Sequence, residues 1–378
     1  MLNLELDTIA KELVSYPSIS PYQKGAIDYL IQLITPMGFK CEVLKRNNTT
    51  NLIATYGDKG EIFAFAGHID IVPPGDDKLW LHNPYELTLE QDKLYGRGIA
   101  DMKGAVSAFI YAVYQYLQNT THNNGQIMLL ITSDEESSAK DGTIVMVEYL
   151  QKHNIQIQYC LIGEPSSVKY LGDTIKIGRR GSLTGELTLN GKQGHIAYPD
   201  LCINPINSFA NAFCELTNTV WDNGNEYFPP TSLQFANINA GVGVTNVIPS
   251  TLTCNFNFRY NNLQNSDKLI TQVEAILNKH NLNYNIIWAD SAKPFYCKVG
   301  KLATIVQQEV YQQTNIITSF KTDGGTSDGR FLYKICNEIL EFGLPNYSIH
   351  QVNEHIEYAD LNKLAKIYEQ ILNKIFND

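Results

Sequence analysis

The 378-residue chain has no CxxC pair, no excess of basic residues, no low-complexity tract and no long apolar run. Its seven cysteines (Cys41, Cys160, Cys202, Cys214, Cys254, Cys297 and Cys336) are scattered and odd in number. That pattern fits reduced, mostly buried thiols better than a disulfide framework. A formal net charge of −10 argues against non-specific binding to nucleic acid or anionic membrane. It leaves room for a small anionic substrate, because a few clustered arginines can dominate one pocket. No apolar run approaches the ~20 residues of a membrane span. The stretch MLNLELDTIAKELVSYPS carries acidic residues where a signal peptide carries basic ones. The expectation is a soluble cytoplasmic protein with neither nucleic-acid nor membrane partners.

What is present has the rhythm of an α/β protein. The length exceeds what one hydrophobic core supports, so two domains are expected. In KGAIDYLIQLITPMGF, Ile27, Leu30, Ile31 and Ile34 share one helical face, and Gly38 is a plausible stop. Apolar strands are expected at 62–67, 126–132 and 159–163, with a helix at 102–118 among the intervening segments. Near-continuous apolar strands alternating with helices predict a mostly parallel sheet covered on both faces. Ligands of such sheets gather beyond the carboxyl ends of the strands.

From about residue 180 the pattern changes. A half-exposed strand (SLTGELTLNG), a helix (204–219), two strands (SLQFANINAG and TLTCNFNFRY), a helix (266–280) and a last strand (NYNIIWAD) succeed one another. That β-α-β-β-α-β order predicts a small ferredoxin-like sandwich. After Lys293-Pro294 the α/β pattern resumes, with a core strand near 337–342 and a final amphipathic helix at 361–376.

Polar residues collect where the predicted strands end. IFAFAGHID ends in His68 and Asp70, GRGIADMKG offers Asp101, LLITSDEES offers Glu135 and Glu136, LIGEPSS offers Glu164, and LPNYSIHQ offers His350. Each alone has an ordinary explanation. Asp101 fits a helix cap, Glu164 and Asp134 fit turns, and a histidine after a strand is commonly structural. Together, anions at one edge of a buried sheet need cations to hold them, and two histidines among carboxylates suit zinc. There are donors enough for two ions sharing a bridging carboxylate. Asp70, two residues after His68, is placed to hold the second imidazole nitrogen. Adjacent Glu135 and Glu136 allow one to bind metal while the other takes a proton from water.

The segments GHIDIVPPGD, LYGRGIADMKG, LITSDEES and GEPSS resemble the signature segments of the M20 family of metallopeptidases and deacylases. Ile69 stands where threonine is expected, a change that leaves the ligands untouched. IGRRGSLTGELTLNGKQGHIAYP (177–199), TNVIPSTLTCNFNFR (245–259), GGTSDGRF (324–331) and NYSIHQVNEHIEYADL (346–361) carry the resemblance nearly end to end, and narrow it to one deacylase branch. It implies a zinc-hydrolase-type α/β catalytic domain over 1–179 and 294–378. The inserted ferredoxin-like α+β lid and dimerisation domain would cover 180–293.

Two zinc ions are implied, with cobalt as a substitute, and an amide in a small anionic substrate as the bond hydrolysed. Asp101 would bridge the metals, His68 and Glu164 would complete one site, and Glu136 and His350 the other. Glu135 would be the general base and Asp70 the support of His68. His195 would reach the site from the neighbouring subunit of a homodimer and stabilise the oxyanion; on its own it reads as a turn histidine beside Gly194.

Arg179, Tyr198, Asn246 and Arg259 match substrate-holding positions, where the planar fork of arginine suits a carboxylate. Gly324, Gly325, Thr326 and Ser327 form a donor-rich loop able to wrap another carboxylate through backbone N–H groups. Asp323 departs from the family pattern, adding an anion beside that loop.

Overall fold

The computed structural model describes residues 3–120 and 124–377. The chain divides into two compact units. The first comprises residues 1–178, 297–321 and 327–378, and the second residues 179–296 and 322–326. The short loop 322–326 thus belongs with the second unit although the chain on both sides of it belongs with the first.

The first unit is built on an eight-stranded mixed sheet. Its order is Lys40–Arg46, Thr49–Tyr56, Gln126–Thr132, Ile62–His68, Ile157–Ile162, Cys336–Glu341, Thr174–Lys176 and Ser319–Lys321. The four central strands run parallel, as their unbroken apolar runs predict. Antiparallel pairing enters at the hairpin Lys40–Arg46/Thr49–Tyr56, at its junction with Gln126–Thr132, and between Cys336–Glu341 and Thr174–Lys176. Two residues separate those hairpin strands, too few for a parallel crossover.

The helices cover the apolar centre. Phe65 stacks on Phe109 of helix Gly104–Asn119 at 4.2 Å, and Tyr368 of helix Tyr358–Asn377 meets both rings edge-on. All three side chains are buried, each removal of such a group from water being worth about 1.5–3 kcal/mol. The Tyr368 hydroxyl donates to the Phe342 carbonyl at 2.7 Å, so its polar tip is satisfied. No helix among the described residues is long and apolar enough to cross a membrane.

The second unit is a four-stranded antiparallel sheet in the order Ser232–Ala240, Thr251–Tyr260, Gly181–Asn190 and Tyr284–Ala292. Helices Pro205–Asn218 and Ser266–Lys279 complete the ferredoxin-like β-α-β-β-α-β order. Alternation decides which face is buried. Leu252, Cys254, Phe256, Phe258 and Tyr260 point into the core with Leu183, Leu187, Phe209, Leu216 and Val273. Helix Pro205–Asn218 begins at a proline and is capped by the Asn204 side chain, which accepts from the N–H groups of Ile206 and Asn207.

Candidate metal centre

Three neighbouring parallel strands end side by side at one edge of the large sheet. His68 is the last residue of its strand and lies in register with Thr132, and Ala66 lies in register with Ile162. The next residues of those neighbours carry Glu135, Glu136 and Glu164 to the same edge. Asp101 comes from the turn before helix Gly104–Asn119, and His350 from a turn in which its backbone is left-handed, with φ 60°.

Seven first-unit residues named from the sequence, His68, Asp70, Asp101, Glu135, Glu136, Glu164 and His350, converge. His68 Nε2 lies 3.2 Å from Asp101 Oδ1 and 3.9 Å from Glu164 Oε1. His350 Nε2 lies 3.4 Å from Asp101 Oδ2 and 3.0 Å from Glu136 Oε1. The two oxygens of Asp101 therefore face two different imidazoles. Candidate ligand atoms of His68, Glu135 and Glu164 lie within 4.8 Å of one another, as do those of His68, Asp101 and Glu136.

The imidazoles set the chemistry of this cluster. His68 Nδ1 donates to the backbone carbonyl of Asp70 at 2.9 Å, which fixes its proton there and turns the Nε2 lone pair toward carboxylates. A lone pair facing anions demands a second proton or a cation between them. Burial alone would hold His68 neutral, but Asp101, Asp70 and Glu164 outweigh it and raise its pKa well above the usual value. His350 is pushed up to about 10 by its bonds to Asp101 and Glu136. Burial opposes ionisation of Asp101, yet the two histidines lower its pKa overall. This donor set, two nitrogens and several carboxylate oxygens gathered in pairs, fits two divalent cations better than protons.

Asp70 holds the second imidazole nitrogen of His68, through its backbone rather than its side chain. Its Nδ1 partnership runs through the backbone carbonyl, and its carboxylate lies 3.6 Å from that nitrogen. The carboxylate instead accepts the backbone N–H groups of Glu135 at 3.1 Å and Glu136 at 3.0 Å. Glu135 is partly buried, and burial followed by the Glu164 carboxylate raises its pKa well above the ordinary range. Asp134 is a turn residue with a buried side chain, accepting the Asp141 N–H at 3.1 Å.

The other named residues fall in the second unit, except Ser327. The Ala197 N–H donates to Nδ1 of the exposed His195 at 3.1 Å. Tyr198 lies 5.7 Å away ring to ring, and the Asn246 carbonyl accepts the Ile196 N–H, so these residues form one exposed patch. Arg179 is almost buried and donates to the carbonyls of Asp323 and Gly325, both at 3.3 Å. Arg180 donates to the Gly324 carbonyl at 3.3 Å, so the two arginines shape the loop 322–326. Arg259 lies opposite Ser182 in the sheet register. Thr326 ends the second unit's part of that loop. Ser327, in the first unit, is buried with its hydroxyl on Glu341.

Two buried residues escaped the sequence reading. Glu354, 1% exposed, accepts the N–H groups of Gly98, Ala100 and Asp101 and pairs with Arg97 at 2.7 Å. Arg97 also lies 5.2 Å over the Trp80 ring. Their only sequence signal was their position inside the segments LYGRGIADMKG and NYSIHQVNEHIEYADL.

Known proteins share this arrangement of elements. A dinuclear metal-binding peptidase of the M20 family from Bacillus subtilis superposes with a TM-score of 0.70 at 13% identity, covering 98% of each chain. Two proteins named succinyl-diaminopimelate desuccinylase are similar in sequence. That of Alkalilimnicola ehrlichii is 45% identical over 367 residues, 97% of this chain and 98% of its own. That of Nitrosospira multiformis is 45% identical over 375 residues, 99% of each. The family model of Peptidase family M20/M25/M40 matches residues 64–374, a span that holds every residue of the cluster from His68 to His350. With a strand-edge donor cluster, a metallopeptidase fold and a match over most of its length, the chain belongs to Peptidase family M20/M25/M40.

Proposed function

We propose that the protein hydrolyses N-succinyl-LL-2,6-diaminopimelate to succinate and LL-2,6-diaminopimelate, toward lysine and cell-wall precursors, with two zinc ions or with cobalt in their place. The observation that carries the substrate is the shared name of the two relatives aligned at 45% identity over nearly their whole lengths. Fold alone does not select a substrate. The same reading puts the enzyme in the cytoplasm as a homodimer acting on a small anionic molecule.

His68 and Glu164 would hold one ion and Glu136 and His350 the other, with Asp101 shared between the two sets. The support for this division is that the Asp101 oxygens face the two imidazoles separately. When bound, zinc supplies Lewis-acid polarisation of the amide carbonyl and acidifies water. Glu135 takes the proton of the attacking water and returns it to the leaving nitrogen. Burial and the neighbouring Glu164 carboxylate raise its proton affinity, the direction a base requires. Asp70 holds the Glu135–Glu136 backbone through two N–H groups, fixing where each carboxylate points.

His195 acts from the neighbouring protomer. Because its Nδ1 accepts from Ala197, its proton sits on Nε2 of an exposed ring, a donor suited to an oxyanion that develops only toward the transition state. The substrate carries three carboxylates and one ammonium. Arg179, Arg259, Tyr198, Asn246 and the backbone of Gly325, Thr326 and Ser327 are the groups assigned to hold it.

The test is to strip the purified protein of metal and restore zinc. Turnover of N-succinyl-LL-2,6-diaminopimelate is then compared with that of N-acetylornithine and a dipeptide. Zinc-dependent turnover that favours the succinylated amide and disappears in Glu135→Gln is the expected result. Preference for another amide would overturn the substrate while leaving the metal centre. Absence of any zinc-dependent turnover would overturn the enzyme reading.

A further inference from the structure

The turn that delivers Asp101 would be weak if left to itself. Residues 98–101 precede helix Gly104–Asn119, where backbone N–H groups have no partners within the helix. Gly98 is left-handed, with φ 85°, and a Cβ there would lie 2.6 Å from Ile71 Cγ2. One distant carboxylate meets these needs. Glu354 Oε1 accepts from Ala100 at 2.9 Å and from Asp101 at 3.2 Å. Its Oε2 accepts from Gly98 at 3.0 Å and from Arg97 Nη1 at 2.7 Å. Four donors thus converge on two buried oxygens.

Glu354 also follows the turn that carries His350, four residues earlier. Its own carbonyl accepts the Gly96 N–H at 3.0 Å. Beside it, the Ser348 hydroxyl donates to the His355 carbonyl at 2.6 Å and accepts the His355 N–H at 3.1 Å. One side chain therefore ties together the backbone segments that present Asp101 and His350. These are the residues whose side chains face each other across 3.4 Å.

Resting on the two-metal reading above, we propose that Glu354 is a positioning residue for the metal centre: by binding the N–H groups of Gly98, Ala100 and Asp101, it holds Asp101 so that one oxygen serves each ion. The anion is essential to this role. A glutamine in its place offers one acceptor oxygen, and its NH2 group confronts two donors. Either the Ala100–Asp101 pair or the Gly98–Arg97 pair is then lost. Residues that orient metal ligands in this way typically contribute about 10–100-fold to affinity.

The experiment measures zinc binding to metal-free wild type, Glu354→Gln and Glu357→Gln by competition with a chromophoric chelator, without substrate. Glu357 lies three residues on and is only partly buried, which makes it the control. The expected result is zinc affinity about 10–100-fold weaker in Glu354→Gln, unchanged affinity in Glu357→Gln, and partial recovery of turnover in Glu354→Gln at high zinc. Unchanged zinc affinity, with only a lower melting temperature in the metal-free and loaded forms alike, would overturn the proposal. If Glu354→Gln does not fold, Arg97→Lys tests the same cradle; unchanged zinc affinity there, in a folded protein, would also overturn it. Because no substrate enters the binding measurement, an error in the assigned substrate leaves its outcome unaffected.

Discussion

The Asp70 carboxylate accepts the backbone N–H of Glu135 at 3.1 Å, and the same oxygen accepts that of Glu136 at 3.0 Å. One acceptor thereby fixes two neighbouring carboxylates with different assigned tasks. Replacing it by alanine leaves both N–H groups without that acceptor and frees the turn. Asp70→Ala is expected to lose about 10–100-fold in kcat with KM little changed, and Asp70→Asn, keeping one oxygen, to lose less. Steady-state kinetics at matched metal content check this; equal losses in both variants would contradict it.

Stability of the metal-free protein is expected to fall as the pH rises above neutrality. Asp101 and Glu136 hold the His350 pKa up to about 10, so the folded state binds its proton more tightly than the unfolded chain. The resulting stabilisation is complete below the unfolded histidine pKa of about 6.5 and is lost as pH passes through about 10. His68 contributes in the same direction. Urea unfolding of metal-free wild type and His350→Asn at about pH 6 and about pH 9 should show a shallower decline in the variant. Identical slopes would remove His350 from the account.

Chelation should lower the melting temperature, because the gathered carboxylates and imidazoles lose the cations that offset their repulsion. An ion present at 100 times its dissociation constant stabilises the folded state by about 2.7 kcal/mol. Calorimetry with chelator, then with zinc restored, should show a reversible drop of that order. An unchanged melting temperature would argue against tight metal binding by this cluster.

Gly181 tests the second unit. It lies opposite Tyr260 in the sheet, and a Cβ there would lie 2.3 Å from the Tyr260 ring, whose hydroxyl donates to Asp290 and to the Ala292 carbonyl. Gly181→Ala must displace a buried ring and is expected to cost about 1–3 kcal/mol. The pair Gly181→Ala/Tyr260→Leu should recover part of that loss in thermal unfolding; no recovery would place the strain elsewhere.

Periodicity and strand ends made much of the fold legible in the sequence. Ile62–His68 and Gln126–Thr132 stand out as apolar runs, and Thr251–Tyr260 alternates plainly between core and surface. The hairpin strand Lys40–Arg46 was not legible, because it contains no fully buried residue and therefore no apolar signature. The ligands were visible as polar residues at strand ends, but their support was not. Glu354 is one of 39 acidic residues, and its partners are backbone N–H groups about 250 positions away. Backbone donors leave no trace in residue identity. For Asp70, a two-residue spacing from His68 is compatible with either its carbonyl or its carboxylate as the imidazole's partner, and only the fold selects between them.

The donors at positions 68, 101, 135, 136, 164 and 350 become neighbours only when the middle of the large sheet has assembled. Such a site has a high contact order, and closing loops of that length costs entropy before any coordination bond returns it. Cations bound there would then be latecomers to folding rather than its seed, unlike those of small domains that collapse around a metal. On that ordering, a newly made chain would complete its architecture first and wait, inactive, for its ions. Supply of metal would then regulate how many of the folded molecules work.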